Sequence, residues 1–145
     1  MARPGLVALH QPELAAHISR ALDADPALPI AGVFLFGSAL GACRPDSDID
    51  LGLVPLPDAT HAPTWHVEGR AEQLLGTFEG HVFDANLLQG VLFAFEAVTT
   101  GRLVHVRDQE ALWDFVERVT RRGWELRRRH RAALDVVLSN LRSTE

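Results

Sequence analysis

Apolar positions divide the first third of the chain into one helix and two strands. Residues 13–25 place apolar side chains three to four positions apart, which predicts a helix that covers the core. Residues 30–36 form a continuous apolar run that ends at Gly37, a pattern typical of a strand buried on both faces. A second strand is predicted over residues 48–54. The small, polar stretch 38–47 therefore connects the two strands as a loop or a short helical turn.

The middle of the chain continues the alternation of helices and strands. Residues 64–78 have weak helical periodicity, and residues 81–86 have the composition of a third strand. An apolar helix is predicted over residues 87–100, ending before Gly101. Residues 103–106 predict a short strand at the edge of the sheet.

The C-terminal third is predicted to be helical. Residues 109–141 keep approximate helical spacing of apolar side chains, and Gly123 is expected to kink or interrupt this helix. Strands mixed with helices, without an internal repeat, indicate one layered domain of the α/β or α+β class. We expect a single domain over residues 1–145, with its core in residues 30–107 and a helical segment in residues 108–145.

Length, composition and charge restrict the class of protein. The chain has 145 residues, of which 47% are hydrophobic and 23% charged, and this suits one folded domain with a sizeable core. No stretch approaches the roughly 18 to 20 apolar residues of a membrane span, and the N-terminus lacks the features of a secretory signal. The single cysteine, Cys43, fits a reducing compartment, and the net charge of -5 argues against stable nucleic-acid binding. We therefore expect a cytoplasmic protein that does not bind membranes.

The second predicted strand carries two acids on one of its faces. Side chains alternate along a strand, so Asp48 and Asp50 point one way, with Gly52 and Val54, while the apolar residues at 49, 51 and 53 point the other. Two carboxylates about 7 Å apart at their Cα atoms suit magnesium held together with phosphates. Gly37 and Ser38 end the preceding strand, where glycine lets the backbone approach a ligand and the serine can donate to phosphate oxygens. The sequence thus predicts a phosphate cradle opposite a metal site.

A third acid, Asp84, is a candidate for the same site. It would share one face of the third strand with Val82 and Asn86, and a carboxylate in an apolar strand needs a partner. If this strand lies beside the second, Asp84 can complete a three-carboxylate site for two metal ions, and it can help activate an acceptor hydroxyl.

The segment VFLFGSALGACRPDSDIDLGLV, residues 33–54, resembles the signature of the DNA polymerase β-like nucleotidyltransferase superfamily. That signature is an apolar strand, Gly-Ser, about ten residues, and Asp-x-Asp in a second apolar strand. The chain is most similar to the minimal nucleotidyltransferases, in particular the MntA-type antitoxins, strongly over residues 30–54 and more weakly as far as Leu103. The resemblance implies a small mixed sheet flanked by helices, with a helical C-terminal segment.

The resemblance also implies a reaction, its site and a partner. Gly37 and Ser38 would bind the phosphates of ATP, Asp48 and Asp50 would bind magnesium, and Asp84 is the best match to the third ligand. The MntA type silences a HEPN-fold ribonuclease toxin, HepT, by transferring AMP from ATP to a toxin tyrosine. Two features depart from that type. Nine residues separate Ser38 from Asp48, one fewer than usual, and Ala39 replaces a frequent basic residue. Arg44 either supplies the missing charge or is a solvated loop residue.

Other interpretations of the same residues remain open. The aspartates of residues 45–48 also suit a turn that caps a hairpin, and Asp84 could instead be an exposed acid at a strand end or a helix cap. The same site could serve a small-molecule acceptor such as an aminoglycoside, or the chain could neutralise a partner by binding alone. The histidines lack paired metal-ligand spacing, which favours surface or packing roles. A basic cluster in the C-terminal helix is either a solvated face or a docking surface that includes Trp113 and Trp124. It consists of Arg121, Arg122, Arg127, Arg128, Arg129 and Arg131.

Overall fold

The computed structural model describes residues 5–57 and 62–143. The strands found there are β1 (Val7–Ala8), β2 (Ile30–Phe36), β3 (Ala42–Cys43), β4 (Ile49–Pro55), β5 (Thr77–Phe78), β6 (His81–Leu87) and β7 (Arg102–Val106). The helices are α1 (Gln11–Asp23), α2 (Thr64–Leu75), α3 (Val91–Thr100) and α4 (Gln109–Ser143), and Gly37–Leu40 forms a turn of 3-10 helix.

A mixed sheet of five strands organises the chain. Its order is β5-β6-β4-β2-β7, and β2 is antiparallel to both β4 and β7. β6 runs parallel to β4, because α2 carries the chain back between them as a crossover. β1 and β3 form a separate two-stranded ribbon. The expected small mixed sheet flanked by helices is confirmed, and β7 is at the sheet edge as predicted.

Each face of the sheet is covered by a pair of helices. On one face, α1 and α2 pack against the alternate residues Ile49, Leu51 and Leu53 of β4, which are fully buried. On the other face, α3 and α4 pack against Val54 and neighbouring apolar residues. The alternation in β4 therefore places Ile49, Leu51 and Leu53 on the first face. It directs Asp50 to the second face, together with Gly52 and Val54.

α4 is one continuous helix of 35 residues, so it is not interrupted at Gly123. Gly123 is buried, and a Cβ atom there would collide with the ring of Phe95 in α3. The absence of a side chain at this position therefore allows α3 and α4 to pack closely together. A helix tolerates such a residue at a cost of about 1 kcal/mol relative to alanine.

The last part of α4 extends beyond the packed body. Every residue from 132 to 142, here named the arm, is exposed. The arm carries apolar side chains at positions i, i+3, i+4 and i+7, namely Leu134, Val137, Leu138 and Leu141. Within the described ranges, no helix combines the length and apolar character needed to cross a membrane.

Candidate active site

Gly37 ends β2 in a conformation and a position that favour glycine. Its φ of +76° lies in the left-handed region. A Cβ atom on Gly37 would lie 2.6 Å from Oδ2 of Asp50, well inside contact distance. Ser38, the next residue, is exposed at the start of the 3-10 turn. Gly37 of the predicted Gly-Ser pair therefore lies directly beside one of the predicted acids.

Asp50 and Asp84 come together at the centre of the sheet. In the parallel pairing of β4 and β6 the two residues are direct register partners, and on its other side Asp50 is paired with Phe36. Burial raises the pKa of the Asp50 carboxyl above its usual range. The charges of Asp84 and Asp48 and a hydrogen bond shared with Asp84 raise that pKa further. The pairing that would unite Asp50 with the third-strand acid is thus present.

Asp48 lies one residue outside β4, not inside the strand as predicted. The turn before it is closed by the Ser47 amide, which donates to the Arg44 carbonyl at 3.0 Å, and pairing begins only at Ile49. Asp48 is exposed, while Asp50 is partly buried. It still lies close enough to raise the pKa of Asp50.

The three aspartates supply oxygen donors of the kind that magnesium prefers. Among the described residues, however, no three acidic, histidine or cysteine side chains already form a metal-binding cluster. Nor does any of the three aspartates form an ion pair with a described basic side chain. Arg44, the candidate replacement charge, is 73% exposed and pairs with Asp46. The mutual repulsion of the acids therefore has no counter-charge from the described side chains, and a divalent cation bound by Asp48, Asp50 and Asp84 would provide one.

Two polar residues that the sequence did not single out support the site. Nδ1 of His81 lies 2.7 Å from the Ser47 carbonyl and ties the turn before Asp48 to the start of β6. Nε2 of Gln11 donates to the Ala39 carbonyl at 2.9 Å and ties the 3-10 turn to α1. A histidine opening a predicted strand gave a weak signal for the first contact. The second spans 28 residues, and no local pattern indicates it.

Solved structures with the same architecture are toxin–antitoxin complexes. A complex of a Shewanella oneidensis HEPN toxin, tri-AMPylated, with its MNT antitoxin matches with a TM-score of 0.57 and 18% identity, over 89% of this chain and 99% of that one. An MntA–HepT mutant carrying two Asp-to-Glu substitutions matches with a TM-score of 0.62 and 16% identity, over 90% and 99%. A toxin–antitoxin structure with AMP-PNP matches with a TM-score of 0.57 and 18% identity, over 86% and 98%.

The chain has the MntA antitoxin fold. No protein-family model matches it, and no curated protein matches it significantly. At this level of identity, the MntA-type structures establish the architecture of the chain, as the signature in residues 33–54 implied.

Proposed function

We propose that the chain is a magnesium-dependent nucleotidyltransferase that transfers AMP from ATP to a tyrosine of a HEPN-type, HepT-like ribonuclease toxin and so silences it. The observation that carries this proposal is the register pairing of Asp50 with Asp84 on adjacent strands, beside Gly37. Nucleotidyl transfer needs phosphate binding and clustered acids in the same place. The MntA-fold structures support the choice of nucleotide and partner, because one holds AMP-PNP and another a tri-AMPylated toxin.

The proposed reaction is an in-line displacement at the α-phosphorus. The tyrosine oxygen forms a bond to that phosphorus, the bond to the oxygen bridging the α- and β-phosphates breaks, and pyrophosphate leaves. Asp84 accepts the proton of the attacking hydroxyl, directly or through water. The backbone at Gly37 and the hydroxyl of Ser38 hold the triphosphate. Two magnesium ions bound by Asp48, Asp50 and Asp84 would neutralise the phosphate charge during transfer.

The C-terminal helix has the features of a protein-docking element. Four exposed apolar residues form one stripe on the arm, and the described segment before it carries Trp124, which is 53% exposed. Residues 118–131 hold seven arginines and one acid, whereas residues 1–117 hold six arginines and sixteen acids. Arginine and tryptophan beside an apolar stripe are favoured anchors at protein interfaces. We assign the toxin to this surface.

The experiment is AMP transfer to the product of the adjacent gene, followed by intact mass. The chain is incubated with ATP, magnesium and that protein, and we expect one or more AMP units on a toxin tyrosine. The double variant Asp48→Asn/Asp50→Asn, which keeps the side-chain shape, should transfer none. Labelling by this variant would contradict the proposal. Neutralisation of the ribonuclease without any labelling would favour an antitoxin that acts by binding alone.

A further inference from the structure

β6 carries Asp84, and among the described residues most of its outer edge has no strand beside it. β5 pairs only with the start of β6, through Thr77 with Val82 and Phe78 with His81. On the inner side, β4 pairs with β6 as far as Leu87. Within the part of the chain that the structure describes, the outward backbone groups near Asp84 thus face no partner strand. Such an edge requires other partners for its amides.

Two glutamates of α2 bind the amides of this edge. Oε1 of Glu72 accepts a hydrogen bond from the Ala85 amide at 3.1 Å, and Oε2 of Glu68 accepts one from the Leu87 amide at 2.8 Å. Four residues along a helix rise about 6 Å, and two residues along a strand advance about 6.6 Å. A helix lying along β6 can therefore present carboxylates from successive turns to alternate amides of the strand.

We propose that Glu68 and Glu72, here named the α2 clamp, are positioning residues that hold β6 so that Asp84 stays beside Asp50. The amide that Glu72 binds belongs to the peptide unit that joins Asp84 to Ala85, so this bond fixes the backbone on which Asp84 is carried. α2 is itself fixed, because its Val67, Ala71 and Leu75 are buried. The catalytic part of this inference rests on the proposed function.

The α2 clamp acts through hydrogen bonds that its two carboxylates accept from backbone amides of β6. Each glutamate is partly buried and directs an oxygen to a backbone amide, which gives a charge-assisted bond stronger than a neutral one. Glutamine keeps a carbonyl oxygen at the same distance along the side chain and can accept the same bond without the charge. Alanine removes the bond entirely. The pair of substitutions therefore separates hydrogen bonding from charge.

The test compares full-length Glu72→Ala and Glu72→Gln, with Glu13→Ala as the control. Glu13 is an exposed helical glutamate of α1 that forms an ion pair with His10 among the described residues. In Glu72→Ala, we expect hydrogen exchange at the Ala85 amide to accelerate about tenfold or more. AMP transfer should lose about tenfold in kcat with little change in the KM for ATP, because Asp84 is displaced while the Gly37 turn is not. Glu72→Gln should retain most of both properties, and the control should retain all.

Three results would overturn the α2 clamp. The first is unchanged exchange at Ala85 in Glu72→Ala. The second is faster exchange with an unchanged kcat, which would remove the positioning role. The third is a Glu72→Gln variant that is as impaired as Glu72→Ala. It would indicate that the negative charge of Glu72, and not the hydrogen bond that it accepts, is what the site requires. If the unmodified chain transfers no AMP, the proposed function fails, and the exchange at Ala85 still decides whether the glutamates hold the strand.

Discussion

Gly37→Ala should damage the active site more than the fold. The new methyl group would lie 2.6 Å from Oδ2 of Asp50. The carboxylate or the turn must therefore move by roughly 1 Å to restore an ordinary van der Waals distance. The left-handed φ of +76° adds about 1 to 2 kcal/mol of backbone strain for alanine. A displacement of about 1 Å at a reacting group can cost roughly a hundredfold in rate. We expect AMP transfer to fall by about that factor, measured as kcat/KM on the toxin.

Gly80→Ala is the matched control for that variant. Gly80 has a comparable φ of +83°, and a Cβ atom there would meet nothing within 4 Å. Both variants should therefore lose a similar free energy of unfolding, about 1 to 2 kcal/mol by denaturant titration. Only Gly37→Ala should lose transfer activity. Equal transfer rates for the two variants would refute the view that the bare backbone at Gly37 makes room for the Asp50 carboxylate.

Three further predictions concern packing, pH and docking. Gly123→Ala should lower the free energy of unfolding by about 1 to 3 kcal/mol in a denaturant titration, because its methyl group collides with the Phe95 ring; an unchanged midpoint would contradict that packing. Burial lowers the pKa of His105 below its ordinary 6.5. As the pH falls, the imidazole therefore takes up its proton at a higher pH in the unfolded chain than in the folded protein. Stability should fall as pH decreases below about 7, and less so in His105→Gln; equal slopes would exclude this histidine as the cause. Leu138→Glu should weaken toxin binding about tenfold or more by calorimetry with stability unchanged within about 0.5 kcal/mol, whereas Val136→Glu, on the opposite face of the arm, should bind normally.

The strands at the site could be predicted because their signals are local. The apolar run of β2 lies between Pro29 and Gly37, that of β4 ends at Pro55, and their predicted bounds agree with the structure to within one residue. Strand alternation likewise assigned Asp84 and Phe83 to opposite faces of β6, where Phe83 is buried and Asp84 partly exposed. Periodicity over a few residues carried enough information in each case.

The rest of the site depends on contacts between distant parts of the chain. The three-acid site was predicted only on the condition that the third strand lies beside the second. The order of strands in a sheet cannot be inferred from the sequence of either strand alone, whereas the structure pairs Asp50 with Asp84. Gly123 was misread because its role is set by Phe95, which is remote in sequence. β5 has two residues, too few to produce a periodic signal. Asp48 was placed in the strand because a turn and a strand end differ there by one residue.

The exposure of the arm has a consequence for the lifetime of the protein. A helical stretch of eleven residues is marginal in water on its own, so the arm keeps its shape mainly by continuing α4, and its exposed turns should open more easily than the packed part of the helix. Exposed segments that open easily are where proteases cut first. A bound partner that covers the apolar stripe would remove those cleavage sites. The rate of degradation would then depend on the fraction of the chain that is bound to its partner. Unbound copies would be degraded first.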